Sequence, residues 1–157
     1  MRVGLGFDAH RLVPGRSLVL GGVAIPFDRG LAGHSDADVL THALIDALLG
    51  AAALGDIGAM FPDAEPEYRD ISSLELARRA MSRLREAGYE AENVDCTVVA
   101  QAPRLAPFVP EMRARLAEAL GVAVERVSIK ATTTEGMGPE GRGEGISAHA
   151  AAMVRKA

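Results

Sequence analysis

The chain has 157 residues, a length that suits one domain spanning 1–157 and able to bury roughly two-thirds of its unfolded surface. Lys and Arg total 17 against 21 Asp and Glu, and the resulting formal charge of −4 argues against a nucleic-acid-binding surface and against a polybasic membrane anchor. No apolar run approaches the ~18 residues of a membrane span, no charged segment with an apolar signal core opens the chain, and the single Cys96 excludes an internal disulfide. A reducing, cytoplasmic setting is therefore expected.

Taken in order, residues 2–8 alternate apolar side chains with glycine and predict a strand. It runs into Asp8 and His10, which at i and i+2 of extended backbone project together, an oxygen beside an imidazole nitrogen, as zinc or a similar divalent ion prefers. Residues 12–16 read as a break at Pro14-Gly15, 17–20 as a second short strand, and Gly21-Gly22 with Pro26 as a hairpin-like region. The glycine-rich stretch 28–38 reads as a loop delivering His34 and Ser35 to a helix over 37–53, capped by Asp36 or Asp38.

His42 lies in the opening of that helix and is the natural third ligand, since two histidines and one carboxylate make a catalytic zinc set with an open fourth position. Asp46, four residues on, shares its helix face and is a candidate to hydrogen-bond a metal-bound histidine. Residues 55–63 predict a loop, 72–87 a helix with a charged outer face ended by Gly88, and 94–100 a strand holding a buried, inert Cys96. Two prolines then force a turn before a helix over 108–120, 127–133 predicts a strand, 136–145 a glycine-dense loop, and 146–154 a closing strand.

Strands and helices mix without a βαβ repeat, so the expectation is α+β, with helices packed on one face of a mixed sheet. Thr97, Val99, Ser147, His149 and Met153 make the other face too apolar to stand free, and a homo-oligomer is expected to cover it.

Seven motifs in order carry a resemblance over the full length: Gly6-Phe7-Asp8-Ala9-His10, His34-Ser35-Asp36-Ala37-Asp38 with His42, Gly50 through Gly58, Phe61-Pro62-Asp63, Ala100-Gln101-Ala102-Pro103, Lys130 through Glu135, and Gly141 through Gly145. Together the motifs resemble the 2-C-methyl-D-erythritol 2,4-cyclodiphosphate synthases, which cyclise 4-diphosphocytidyl-2-C-methyl-D-erythritol 2-phosphate and release CMP. The resemblance implies zinc, or a similar transition ion, on Asp8, His10 and His42, and a second ion, magnesium or manganese, on Glu135. It implies His34 and Thr133 as catalytic residues, phosphate contacts from Ser35, Thr132, Thr133, Thr134 and Arg142, a ribose clamp at Asp56 and Gly58, and substrate contacts at Phe61 and Asp63. Ala100, Pro103, Arg104, Leu105 and Ala106 would form the cytosine pocket. It further implies a homotrimer in which the zinc side and the cytidine pocket of each site come from different chains. Leu5 and Pro139 depart from the family pattern, which commonly has histidine and an aromatic residue there.

Two other classes compete. A zinc phosphohydrolase would need a general base, and none accompanies the three ligands in the sequence. A nucleotide-binding trimer with structural zinc would need a fourth protein ligand. A dinucleotide fingerprint at 141–145 fits poorly, because that loop precedes a strand instead of opening a helix.

Overall fold

The computed structural model describes residues 1–157. The first strand, β1 (Arg2–Pro14), sends Gly4, Gly6, Asp8, His10 and Leu12 to one face and Val3, Leu5, Phe7 and Ala9 to the other. It is longer than the pattern predicts, because Pro14 sits at the strand end, where a missing N–H costs nothing, and the turn begins only at Gly15 (φ 79°).

A small hairpin of β2 (Leu18–Leu20) and β3 (Val23–Ile25) follows, then β4 (Arg29–Leu31), which pairs antiparallel with Leu12–Pro14 of β1. Strand β4 forms within the stretch 28–38, for which the sequence predicts a loop. Its Gly30 looks like a loop residue, yet a Cβ there would lie 2.4 Å from the carbonyl oxygens of Arg16 and Ser17, so the glycine serves a close backbone approach.

The remaining strands are β5 (Tyr89–Val99), β6 (Val127–Thr132) and β7 (Gly145–Lys156), and the main sheet runs β4-β1-β7-β5-β6. All its pairs are antiparallel except β5 with β6, giving the mixed sheet expected. The helices α1 (Val39–Ala52), α3 (Ser73–Glu86) and α4 (Val109–Leu120) share one hydrophobic core with the β1 face that carries Gly4 and Gly6. Two four-residue helices, α2 (Ile57–Met60) and α5 (Gly138–Gly141), occupy stretches predicted as loops, being too short to show a period. Cys96 lies on the core face, where burial pushes its thiol up to about 12, in keeping with an inert residue.

Core contact is closest where α1 crosses β1 and β7. Ala148, Ala150 and Ala152 of β7 are buried beside Gly4 and Gly6, and a Cβ built on Gly6 would stand 1.8 Å from the Ala43 carbonyl oxygen of α1. Backbone therefore lies almost on backbone, and dispersion between these surfaces, not large side chains, fills the layer.

The opposite face is apolar and open. Val3, Leu5 and Phe7 remain 63%, 78% and 57% exposed, with His149, Met153, Thr97 and Val99 beside them in register. Ser147 departs from the expected set: it is buried, and its hydroxyl donates to Glu140 Oε1 at 2.7 Å under α5. The largest members, all from β1, were not in the predicted patch.

Gly6→Ala should destabilise the fold by about 2–3 kcal/mol, the cost of overpacking a tight interface. Gly50→Ala, on the exposed side of α1 with nothing within 4 Å of the new Cβ, should stabilise by about 0.5–1 kcal/mol through helix propensity. Urea unfolding of both variants distinguishes contact from propensity, and equal effects would contradict the close approach.

Candidate active site

Asp8 and His10 leave the core face of β1 where the glycines end, and His42 comes down from the first turns of α1 to meet them. The helix start is set by Asp38, fully buried, whose carboxylate accepts from Thr41 N (3.0 Å), Thr41 Oγ1 (2.7 Å), Gly21 N (3.0 Å) and Gly22 N (2.8 Å). One residue thus caps α1 and pins the hairpin turn to it. Burial pushes the Asp38 carboxyl up, with the charge of Asp36 adding to the effect.

The three candidate ligand atoms all lie within 4.8 Å of one another. His10 Nε2 is 2.8 Å and His42 Nδ1 3.1 Å from the same oxygen, Asp8 Oδ2. Burial opposes ionisation of Asp8, but hydrogen bonds and charge from both histidines outweigh it and hold the carboxyl well below the usual carboxylate range. Burial likewise opposes a charged His10, and Asp8 outweighs that too, raising the imidazole above its ordinary value.

The donor chemistry fits a zinc-like ion. His10 Nδ1 sits 2.6 Å from the Ala32 carbonyl oxygen, which can only accept, so this nitrogen carries a proton and Nε2 is the ring atom turned toward Asp8, free to serve a metal once its own proton is lost. His42 Nε2 is likewise engaged, 2.9 Å from Ser73 Oγ and 3.1 Å from Ser35 Oγ, and Nδ1 faces Asp8. An outer partner on each ring is what metal-bound histidines require. Asp46, predicted for that role, accepts instead from Ile57 N at 2.7 Å and ties α1 to α2.

The cluster lines a cleft of about 220 Å³ together with His34, Ser35, Gly58, Phe61 and Asp63, all named from the sequence, and with Gly33, Ile57, Tyr68 and Leu76, which were not. Phe61 and Tyr68 meet edge-on at 5.4 Å between centroids, forming an apolar wall. Asp56 stands beside this cleft as the cap of α2, one oxygen accepting from Ala59 N at 2.7 Å.

The remaining predicted residues gather elsewhere. A second cleft of about 410 Å³ is lined by Ala100, Gln101, Pro103, Arg104, Leu105, Ala106, Ala131, Thr132, Thr133 and Glu135, at the ends of β5 and β6. Ala9, Ser147, Val99 and Thr132 pair in turn across the sheet, so β1 and β6 stand three strand spacings, roughly 14 Å, apart. The two clefts share no residue. Glu135 holds a left-handed conformation (φ 55°), unfavourable for a side chain with a Cβ, and its N–H donates to Thr133 Oγ1 at 3.2 Å. Thr134 Oγ1 donates to the Met137 carbonyl, and Arg142 pairs with Glu144 at 3.0 Å, both outside the two clefts.

Comparison with known proteins matches the chain over nearly its whole length. Residues 1–155 match the YgbB family. The 2-C-methyl-D-erythritol 2,4-cyclodiphosphate synthase of Moorella thermoacetica is 62% identical over 154 residues, covering 98% of this chain and 94% of that one. That of Syntrophomonas wolfei is 59% identical over 157 residues, with all of both chains covered. Among solved structures, a 2C-methyl-D-erythritol-2,4-cyclodiphosphate synthase in a CDP-bound form superposes with a TM-score of 0.90 at 34% identity, covering 98% of this chain and 100% of that one. Fold and full-length similarity converge, and the chain belongs to the YgbB family, whose relatives here are 2-C-methyl-D-erythritol 2,4-cyclodiphosphate synthases.

Proposed function

We propose that the chain converts 4-diphosphocytidyl-2-C-methyl-D-erythritol 2-phosphate into 2-C-methyl-D-erythritol 2,4-cyclodiphosphate and CMP. An oxygen of the 2-phosphate forms a bond to the phosphorus nearer the methylerythritol, the bond from that phosphorus to the bridging oxygen breaks, and CMP departs with the electron pair. The observation that carries this reading is the convergence of Asp8, His10 and His42 on one point of a cleft that also holds His34 and Ser35.

Asp8 Oδ2, His10 Nε2 and His42 Nδ1 would hold a zinc-like ion and Glu135 a magnesium or manganese ion, and such ions supply Lewis acidity and a template to phosphates under attack. His34 and Ser35 would donate to phosphate oxygens as charge moves toward the leaving group, and Thr132, Thr133 and Arg142 would do the same on the diphosphate side. Thr134 would serve through its hold on the following turn. Asp56 can accept from ribose hydroxyls beside Gly58, where no side chain obstructs. Phe61, Tyr68 and Leu76 line the cleft with apolar surface that keeps out water, whose attack would give a linear product. Asp63 stands at the same cleft, and the main chain of 100–106 offers groups able to read a cytosine edge.

The second cleft lies at β6, three strand spacings or roughly 14 Å from β1, and shares no residue with the cleft of Asp8. This separation, and the open face of Val3, Leu5 and Phe7, favour a homotrimer whose sites each combine one cleft from each of two chains.

Phosphorus NMR after incubation with substrate, zinc and magnesium should show the cyclic diphosphate and CMP, and a linear product carrying solvent oxygen would indicate a hydrolase instead. His42→Ala should lose bound zinc and at least 99% of activity together. Glu135→Gln should retain zinc by metal analysis while requiring about tenfold more magnesium. Mixed trimers assembled from inactive His42→Ala and inactive Thr133→Ala chains should regain about a quarter of wild-type activity, the fraction of sites with both halves intact. No recovery on mixing would place both halves in one chain.

The Asp8–His10 contact also sets a pH dependence. His10, raised above its ordinary value near 6.5, contributes stability that is present below that value and lost as pH rises through its folded value. Asp8, lowered, contributes stability present above the usual carboxylate range and lost as pH falls. Zinc needs His10 neutral, so uptake should weaken as pH falls, and calorimetry at pH 6 in buffers of different ionisation enthalpy should report release of about one proton per zinc.

A further inference from the structure

We infer that Gln101 is a positioning residue of the second cleft: its side-chain oxygen holds the turn that carries Glu135, and so governs how firmly Glu135 binds its divalent ion. The inference deepens the proposed function, since it rests on Glu135 being a metal ligand. The sequence points to Ala100 and Pro103 on either side of Gln101 and assigns Gln101 itself no task.

Thr134 to Met137 form a tight turn. Met137 N donates to the Thr134 carbonyl oxygen at 3.1 Å, and the two residues between them, Glu135 (φ 55°) and Gly136 (φ 78°), both have positive φ. These are the marks of a type I′ turn, whose first central position favours asparagine, aspartate or glycine. Gly136 suits its place, whereas Glu135 is strained in its own. A longer carboxylate thus stands where a shorter one would fit the backbone better, and strain of this kind persists only where the surroundings hold it.

Three side chains do the holding: Thr134 Oγ1 donates to the Met137 carbonyl oxygen, Thr133 Oγ1 accepts from Glu135 N at 3.2 Å, and Gln101 Oε1 accepts from Gly136 N at 3.2 Å. The two threonines belong to the turn's own segment, and of the three only Gln101 reaches it from a different strand end. An amide N–H can only donate, so it is the carboxamide oxygen of Gln101 that faces Gly136. Its reach is set one residue earlier. Ala100 N donates to the Thr132 carbonyl oxygen at 3.0 Å, which extends the β5–β6 ladder and brings Gln101 opposite the turn. Gln101, Thr132, Thr133 and Glu135 all line the same cleft. Without the link from Gln101 the turn is free to relax out of its left-handed conformation, and Glu135 leaves the place where an ion would need it.

The test uses the full chain with zinc supplied and Gln101→Met, which keeps the length of the side chain and removes the acceptor. Gln101 is exposed, so the change opens no cavity. In chain labelled with 15N-glycine, the Gly136 amide should exchange with water about tenfold faster in Gln101→Met than in wild type, the effect of losing one hydrogen bond. Gln101→Glu, with an acceptor at the same length, should preserve the protection. Equal exchange in wild type and Gln101→Met overturns the inference. Affinity for Mn2+ in the presence of saturating CDP, read from the EPR signal of the free ion, should fall about tenfold in Gln101→Met. In chains that already carry Glu135→Gln, the same substitution should add less than about twofold, because the carboxylate it positions is gone. A second loss of about tenfold there would mean that Gln101 acts on the nucleotide or the ion directly, and would refute the positioning role. Should Glu135→Gln itself leave Mn2+ affinity unchanged, the metal reading of Glu135 falls and the effect on the ion with it, while exchange at Gly136 still decides whether Gln101 holds the turn.

Discussion

Everything in the molecule depends on how near α1 lies to the first strand. Gly4 and Gly6 have no side chains to hold the helix away, and Ala43, Ala47 and Ala51 answer them from above with the smallest side chain a good helix former has. His42 directly precedes the alanine that covers Gly6, and Asp8 follows Gly6 by one step of the pleat. Contact between two backbones therefore determines the separation of an imidazole and a carboxylate. A layer built of leucines would give a stable core of similar area but would lift the helix by the thickness of a side chain, carrying His42 Nδ1 out of reach of Asp8 Oδ2.

Rigidity at this point is reinforced by groups that do no chemistry. Asp38 spends its carboxylate on four donors from two segments, a satisfied buried acid whose removal would leave four donors unpaired. Asp36, two residues earlier, reaches the start of α3 and brings Ser73 under His42. Two acidic residues in one motif thus serve two different helices. The cluster is held from three sides: β1 through its register with β7, α1 through its cap, and α3 through the serine.

The sheet separates two kinds of task. Its core face ends in the ligand cluster, and its open face is apolar at β1 and polar toward β6, where Thr132 and the turn containing Glu135 begin. Under the proposed function, a diphosphate substrate with a nucleoside at one end and a phosphorylated polyol at the other would use both regions. In the proposed homotrimer, burying Val3, Leu5 and Phe7 at roughly 25 cal/mol per Å² of apolar surface would offer the driving force to unite them between chains.

The sequence by itself was enough to set Asp8 beside His10, because i and i+2 on a strand is a local fact that packing does not alter, whereas the meeting of His42 with them follows from α1 lying against β1. The mixed sheet with helices on one face was legible from the order of elements, and part of each cleft from motifs continuous along the chain, but Tyr68 and Leu76 lie in no such motif and reach the first cleft only by folding. Tertiary structure alone decided the pairings between distant segments. Asp46 and Asp36 look equally suited to steady a histidine; the first is drawn to Ile57 by the turn into α2, and only the docking of α3 brings the second, through Ser73, to His42. The division of the motif residues between two clefts was equally hidden, since it follows from strand order, and strand order records which surfaces found each other and not which residues are neighbours in the chain.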